Sequence, residues 1–137
     1  MPKQYRVVCP KCGKPINVPV GPTYQCPACK AENTTPQGGL LYIYRMGNFM
    51  GAAIGMDIHI NDNPVGLMAN KETVCIPLGY GTYKIHIAHS MNRRCNDPVI
   101  EISPQNPVVY LKARLKSGAF SSTIIVEPCA ANEMPGV

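Results

Sequence analysis

Two cysteine pairs, Cys9-Pro-Lys-Cys12 and Cys26-Pro-Ala-Cys29, lie within the first thirty residues with thirteen residues between them. No other feature of the chain limits its folding so tightly. Each C-x-x-C offers two thiols from one tight turn, and a spacer of this length lets a short hairpin bring the turns together. That is the arrangement a tetrahedral zinc ion needs. Four sulfurs fill its coordination sphere and leave no position for water or substrate. The expected cofactor is therefore one structural Zn2+, held by Cys9, Cys12, Cys26 and Cys29.

The flanking residues fit a zinc ribbon. Gly13 follows Cys12, where the backbone turns back towards sulfur and freedom from a Cβ is useful. Pro10 and Pro27 stiffen equivalent places in the two turns. Tyr5–Val8, Ile16–Val18 and Thr23–Gln25 carry β-formers, and Gly21-Pro22 marks a turn between the last two. The expected small core is Tyr5, Val7, Ile16, Val18 and Tyr24. So few side chains cannot offset the chain entropy of the lobe, whereas structural zinc contributes about 10–16 kcal/mol in comparable peptides. Two rival uses of the cysteines weigh less. A redox dithiol of this spacing opens a helix that lowers its pKa, and Gly13, Pro15 and Pro19 oppose one here. Paired disulfides belong to secreted chains, and the opening Met-Pro-Lys-Gln-Tyr-Arg has no apolar signal region. The expectation is a cytoplasmic protein with reduced thiols.

The 137 residues leave room for one further small domain, and no segment approaches the ~20 apolar residues of a membrane span. The expected organisation is a ribbon over residues 1–34, a linker over 35–39 made flexible by paired glycines, a β domain over 40–128 and a flexible tail over 129–137. Within the β domain, Leu40–Met46, Met56–Ile60, Val65–Met68, Glu72–Leu78, Thr82–Ser90, Val99–Ser103, Val108–Leu115 and Ser122–Glu127 read as strands. Met56, Ile58 and Ile60 alternate with Asp57 and His59, and Asn61-Asp-Asn-Pro64 supplies the turn of a hairpin. In the penultimate strand Val109, Leu111, Ala113 and Leu115 face inward, with Tyr110, Lys112 and Arg114 outward. Fourteen prolines argue against long helices. The fold class is thus mainly β: a small zinc ribbon joined to an antiparallel β-sandwich of about seven to eight strands, with a Greek-key element.

Several motifs of the second region fit one known group. Leu41-Tyr-Ile-Tyr-Arg45, then Asp57–Leu67 with its Val65-Gly66, then Thr73–Pro77 and Gly79-Tyr-Gly81-Thr-Tyr-Lys-Ile85 together resemble the PEGA and DUF2846 group of β domains over residues 40–127. Asn61-Asp-Asn-Pro64 stands where Asp-Gly-Lys is usual there, and Pro77-Leu-Gly79 where Pro-Pro-Gly is usual. The resemblance implies a carboxypeptidase-regulatory or prealbumin-like sandwich without a catalytic site. The amino-terminal region is similar to bacterial and archaeal zinc ribbons of the Cys-Pro-x-Cys-Gly type.

Charge gives a modest hint about partners. Lys3, Arg6, Lys11, Lys14 and Lys30 against Glu32 give residues 1–36 a formal +4. A zinc tetrathiolate carries −2, so much of this charge compensates the metal. Nucleic acid asks for a denser basic face or stacking aromatics. Arg93-Arg94 with Lys112, Arg114 and Lys116 reads as an ordinary solvated face. His59, His86 and His89 show no ligand spacing and read as surface residues; Cys95 reads as a free surface thiol and Cys75 as a small core residue. In Gly47–Gly55 the four-residue glycine spacing is too short a stretch for a membrane motif and reads as a loop, with Phe49 and Met50 as candidate contacts. Three functions follow in order: a non-enzymatic adaptor binding another protein, a nucleic-acid-binding ribbon using Lys3, Lys11, Lys14 and Lys30, and an enzyme or small-ligand binder with a cleft beside the glycine loop.

Overall fold

The computed structural model describes residues 4–46, 55–88, 95–117 and 122–133. Phe49, Met50, His89, Arg93, Arg94 and Lys3 fall outside these, so the readings attached to them do too. The amino-terminal region forms two antiparallel hairpins, β1 (Gln4–Val8) with β2 (Pro15–Pro19) and β3 (Thr23–Gln25) with β4 (Glu32–Thr34). Each hairpin carries one cysteine pair at its tip. The small core is the expected one: Val7, Val18 and Tyr24 are buried, with Tyr5 and Ile16 packed against them.

Eight further strands follow: β5 (Gly39–Arg45), β6 (Met56–Ile60), β7 (Asn63–Met68), β8 (Thr73–Leu78), β9 (Gly81–Ala88), β10 (Val99–Ile102), β11 (Val108–Ser117) and β12 (Ser122–Pro128). They build two four-stranded sheets in the orders β10-β9-β6-β7 and β12-β11-β5-β8. The alternation read from sequence explains their packing. Met56, Ile58, Ile60, Ile85 and Ile87 of one sheet share a buried cluster with Leu41, Ile43, Leu111, Ala113 and Ile124 of the other. The sandwich holds, but its strands are not all antiparallel: β11 runs parallel to β5. Parallel neighbours need a long crossover; here the chain between β5 and β11 crosses to the opposite sheet for β6 and β7, returns as β8 beside β5, and crosses again for β9 and β10.

The β6–β7 turn is tighter than its four polar residues imply. Asn61 and Asp62 alone make it, both at positive φ (50° and 68°), while Asn63 and Pro64 already belong to β7. This is the two-residue turn whose twist suits a hairpin. Pro64 is tolerated because β7 is an edge strand. Register shifts beside it, so that His59 faces Pro64 while Ile58 faces Gly66. Val65 is the extra residue of a bulge.

The second sheet is covered on both sides. Tyr42 and Tyr110 stack on its outer face, 5.2 Å apart, with Cys75 buried beside Tyr42. Tyr5 of β1 packs onto this group, joining the ribbon to the sandwich. Strand β8, an edge of its sheet, is consequently buried over Val74–Pro77 beneath β1, which shields an otherwise open edge.

Residues 35–39 make defined contacts at both ends. Thr35 is buried, and its hydroxyl donates to Gly21 O (2.7 Å) while its amide donates to Pro22 O (2.9 Å). The paired glycines serve close approach: a Cβ on Gly38 would lie 2.8 Å from Leu78 O, and one on Gly39 would overlap Pro107 O. At the other end, Cys129, placed in the tail by sequence, packs against the tyrosine cluster and donates its amide to Tyr110 O at 3.1 Å.

Candidate metal centre

The two hairpin tips are built alike. In the first, Cys9 N donates to Lys14 O (3.0 Å) and Gly13 N donates to Cys9 O (2.8 Å). In the second, Cys26 N donates to Ala31 O (2.9 Å) and Lys30 N donates to Cys26 O (2.8 Å). The residue closing each turn is left-handed, Gly13 at φ 76° and Lys30 at φ 66°. Glycine occupies that position freely in the first tip, and Lys30 adopts it at a steric cost in the second. Sequence reasoning found Gly13 for this reason and missed Lys30, whose side chain conceals the shared geometry.

These turns bring the four sulfurs together. All lie within 4.8 Å of one another, with Cys9 Sγ 3.7 Å from Cys29 Sγ and Cys12 Sγ 3.6 Å from Cys26 Sγ. A tetrahedron with Zn–S bonds of 2.3 Å has edges of about 3.8 Å, so these separations suit zinc. They are far longer than a disulfide bond of about 2.05 Å. The donor set is soft and saturating, as zinc in a structural role demands. Cys9 and Cys26 are completely buried, whereas Cys12 and Cys29 are exposed. A metal here would be anchored on an inner pair of sulfurs and approachable past an outer pair.

Backbone amides prepare the inner thiols for ionisation. The amides of Cys12 and then Lys11 pull the Cys9 thiol below its ordinary range, and those of Cys29 and Ala28 do the same to Cys26. Cys29 N lies 3.5 Å from Cys26 Sγ. Asn33, from β4, adds a side-chain N–H 3.6 Å from Cys9 Sγ. The exposed Lys11, Lys14 and Lys30 surround the tips and offset the negative charge of a tetrathiolate.

Arg6 fixes the cysteine-bearing lobe to the sandwich. Its residue is only 7% exposed. Nε donates to Asn17 Oδ1 (2.6 Å) within the ribbon, and Nη1 donates to Val65 O (3.2 Å) and Leu67 O (2.8 Å) across the junction. The β7 bulge presents those carbonyls, and Gly66 leaves space for the guanidinium: a Cβ there would sit 2.9 Å from Nη1. Nη2 also faces Glu72 Oε2 at 3.9 Å. Burial lowers the Arg6 pKa, opposed by Glu72, but arginine keeps its charge in proteins.

The remaining candidates follow their sequence readings only in part. Cys75 is buried as expected. Cys95 is no free surface thiol: it is half-buried against the sandwich core, and Ile87 N donates to its sulfur at 3.4 Å. Of the basic residues of β11, Arg114 pairs with Glu127 at 3.3 Å. His59 and His86, which show no pattern in sequence, face each other across β6 and β9 with ring centroids 5.6 Å apart. His86 Nδ1 lies 2.6 Å from Asp97 Oδ1. The outward position of both histidines was legible from alternation; the pairing of β6 with β9 was not.

Between ribbon and sandwich lies a cleft of about 290 Å3, bordered by Val7, Tyr24, Val65, Ile76 and Leu78. Among the described residues, no histidine, carboxylate or thiol lines it. Comparison with family models, with curated proteins and with solved structures gives no match to this chain. The cysteine cluster and the β architecture therefore stand on the geometry, and the PEGA resemblance gains no family match.

Proposed function

We propose that this is a non-enzymatic, cytoplasmic zinc protein that presents a metal-stiffened ribbon, mounted on a β-sandwich, to another protein. The observation carrying this reading is the closed set of four sulfurs at the hairpin tips. A metal held by all four has no position for substrate, so its contribution is to the shape of the ribbon. Arg6 and Tyr5 transmit that shape to the sandwich, which makes the ribbon and β7–β8 one continuous surface. Seven cysteines, four of them spaced for a metal, suit a reducing compartment. Among the described residues no helix is long and apolar enough to cross a membrane.

The test is affinity capture from the source cell with the intact chain and with Cys26→Ser, paired with oligonucleotide binding over a salt series. A defined protein partner recovered by the intact chain and lost with Cys26→Ser supports the proposal. Oligonucleotide binding that weakens steeply with salt, with no protein partner, favours a nucleic-acid ribbon acting through Lys11, Lys14 and Lys30 instead.

A further inference from the structure

Beside the second half of β9 lies a second group of donor side chains, apart from the ribbon. A ring nitrogen of His86, Cys95 Sγ and a carboxylate oxygen of Asp97 come from a strand and the segment leading into β10, and their donor atoms lie within 4.8 Å of one another. We propose that His86, Cys95 and Asp97 bind a second divalent transition-metal ion of the zinc class, with one coordination position left for water.

Three observations support this. The first is donor chemistry: one imidazole, one thiol and one carboxylate form a mixed set that suits borderline ions such as Zn2+ and not Ca2+ or Mg2+. The second is preorganisation. Residues 95–98 are pinned on both flanks, so the Cys95 and Asp97 backbones are held beside β9. Asn96 Nδ2 donates to Val126 O and Val126 N donates to Asn96 Oδ1, both at 2.8 Å, while Ile85 N donates to Pro98 O at 2.9 Å. A side-chain amide doubly bonded to β12 is the kind of support that orients ligands from outside a metal's coordination sphere. The third is an orphan atom: His59 Nδ1, on the ring next to His86, is buried without a hydrogen-bond partner. A bound ion's water would give it one.

The site needs a small adjustment. In a tetrahedron with bonds of 2.0–2.1 Å, nitrogen and oxygen ligands stand about 3.3 Å apart, whereas His86 Nδ1 and Asp97 Oδ1 now share a hydrogen bond at 2.6 Å. The ion would replace that bond. His86 and Asp97 side chains are 23% and 39% exposed, enough for an ion to enter. Cys95 would bind as thiolate, releasing its proton to solvent.

The experiment is calorimetric titration of Zn2+ into the full chain already holding one equivalent, beside His86→Ala, Cys95→Ser and the near-isosteric Asp97→Asn. Visible spectra of the Co2+-loaded proteins are recorded in parallel. The expected result is one further equivalent, weakened at least tenfold in each variant, with loss of a cobalt spectrum distinct from that of a tetrathiolate. Should His86→Ala or Cys95→Ser fail to fold, Asp97→Asn decides, since it preserves size and keeps one oxygen to accept from His86 while removing the charge. No second equivalent, or one that Asp97→Asn leaves unchanged, overturns the proposal.

Discussion

Arg6 shows how one side chain ties two lobes together. Its guanidinium bonds to Asn17 in the ribbon and to two backbone carbonyls in the sandwich, at a site almost sealed from water. Arg6→Ala would leave those carbonyls without their donors; hydrogen bonds involving a charged group contribute about 1.5–3 kcal/mol each, so a loss of about 3 kcal/mol is expected in denaturant unfolding. An unchanged midpoint would show that the junction does not depend on Arg6. Cys75 and Tyr42 make a second prediction, in pH. Burial pushes the Cys75 thiol from its ordinary 9.0 up to about 11, opposed by the Tyr42 hydroxyl. Burial likewise pushes Tyr42 from 10.0 up to about 12, reinforced by Cys75. Below about pH 9 both folded and unfolded chains keep the Cys75 proton, and stability is undiminished. Between about 9 and about 11 the unfolded chain releases that proton while the folded one retains it, so stability falls as pH rises. Urea midpoints measured at pH 8 and pH 10.5 should show the fall, and Cys75→Ala should make it shallower; identical slopes in the two proteins would assign it elsewhere.

At the scale of elements, Gly39 is the strictest position outside the metal centre. It opens β5 where that strand meets Pro107, and its missing Cβ is what allows the contact. Gly39→Ala would force the strand or the β10–β11 connection aside; overpacking of this kind costs about 1–3 kcal/mol, measurable as a lowered urea midpoint. Wild-type stability in that variant would contradict the packing. The same glycine illustrates what sequence conveyed. Its turn-like neighbourhood implied a flexible joint, because a glycine needed for contact with a distant residue looks locally like one needed for freedom. Strands fared better where period-two alternation was strong, as in β6 and β11. Strand β4 went unseen because Glu32-Asn-Thr34 lacks a β-forming pattern and exists to complete the second knuckle. The parallel β5–β11 pairing was also hidden, since alternation specifies faces but not neighbours.

For the whole molecule, the cysteine spacing gave the candidate metal centre almost entirely, because both ligands of each pair are local. What spacing does not carry is the coupling of that centre to the sandwich through Arg6, Tyr5 and Gly66, which depends on residues far apart in sequence. The ribbon's own core is three buried side chains with two packed beside them, too little to hold it folded without metal. Exposure of Cys12 and Cys29 would give a chelator a path to an ion bound there. Removing metal should therefore unfold β1–β4, while the larger core of β5–β12 persists with local changes along β7 and β8. The decisive measurement is a residue-resolved amide spectrum of the reduced protein before and after stoichiometric zinc removal. The account predicts collapse of the dispersed signals of residues 4–35 and their recovery when one equivalent of Zn2+ is restored; unchanged shifts across those residues in the metal-free protein would contradict it.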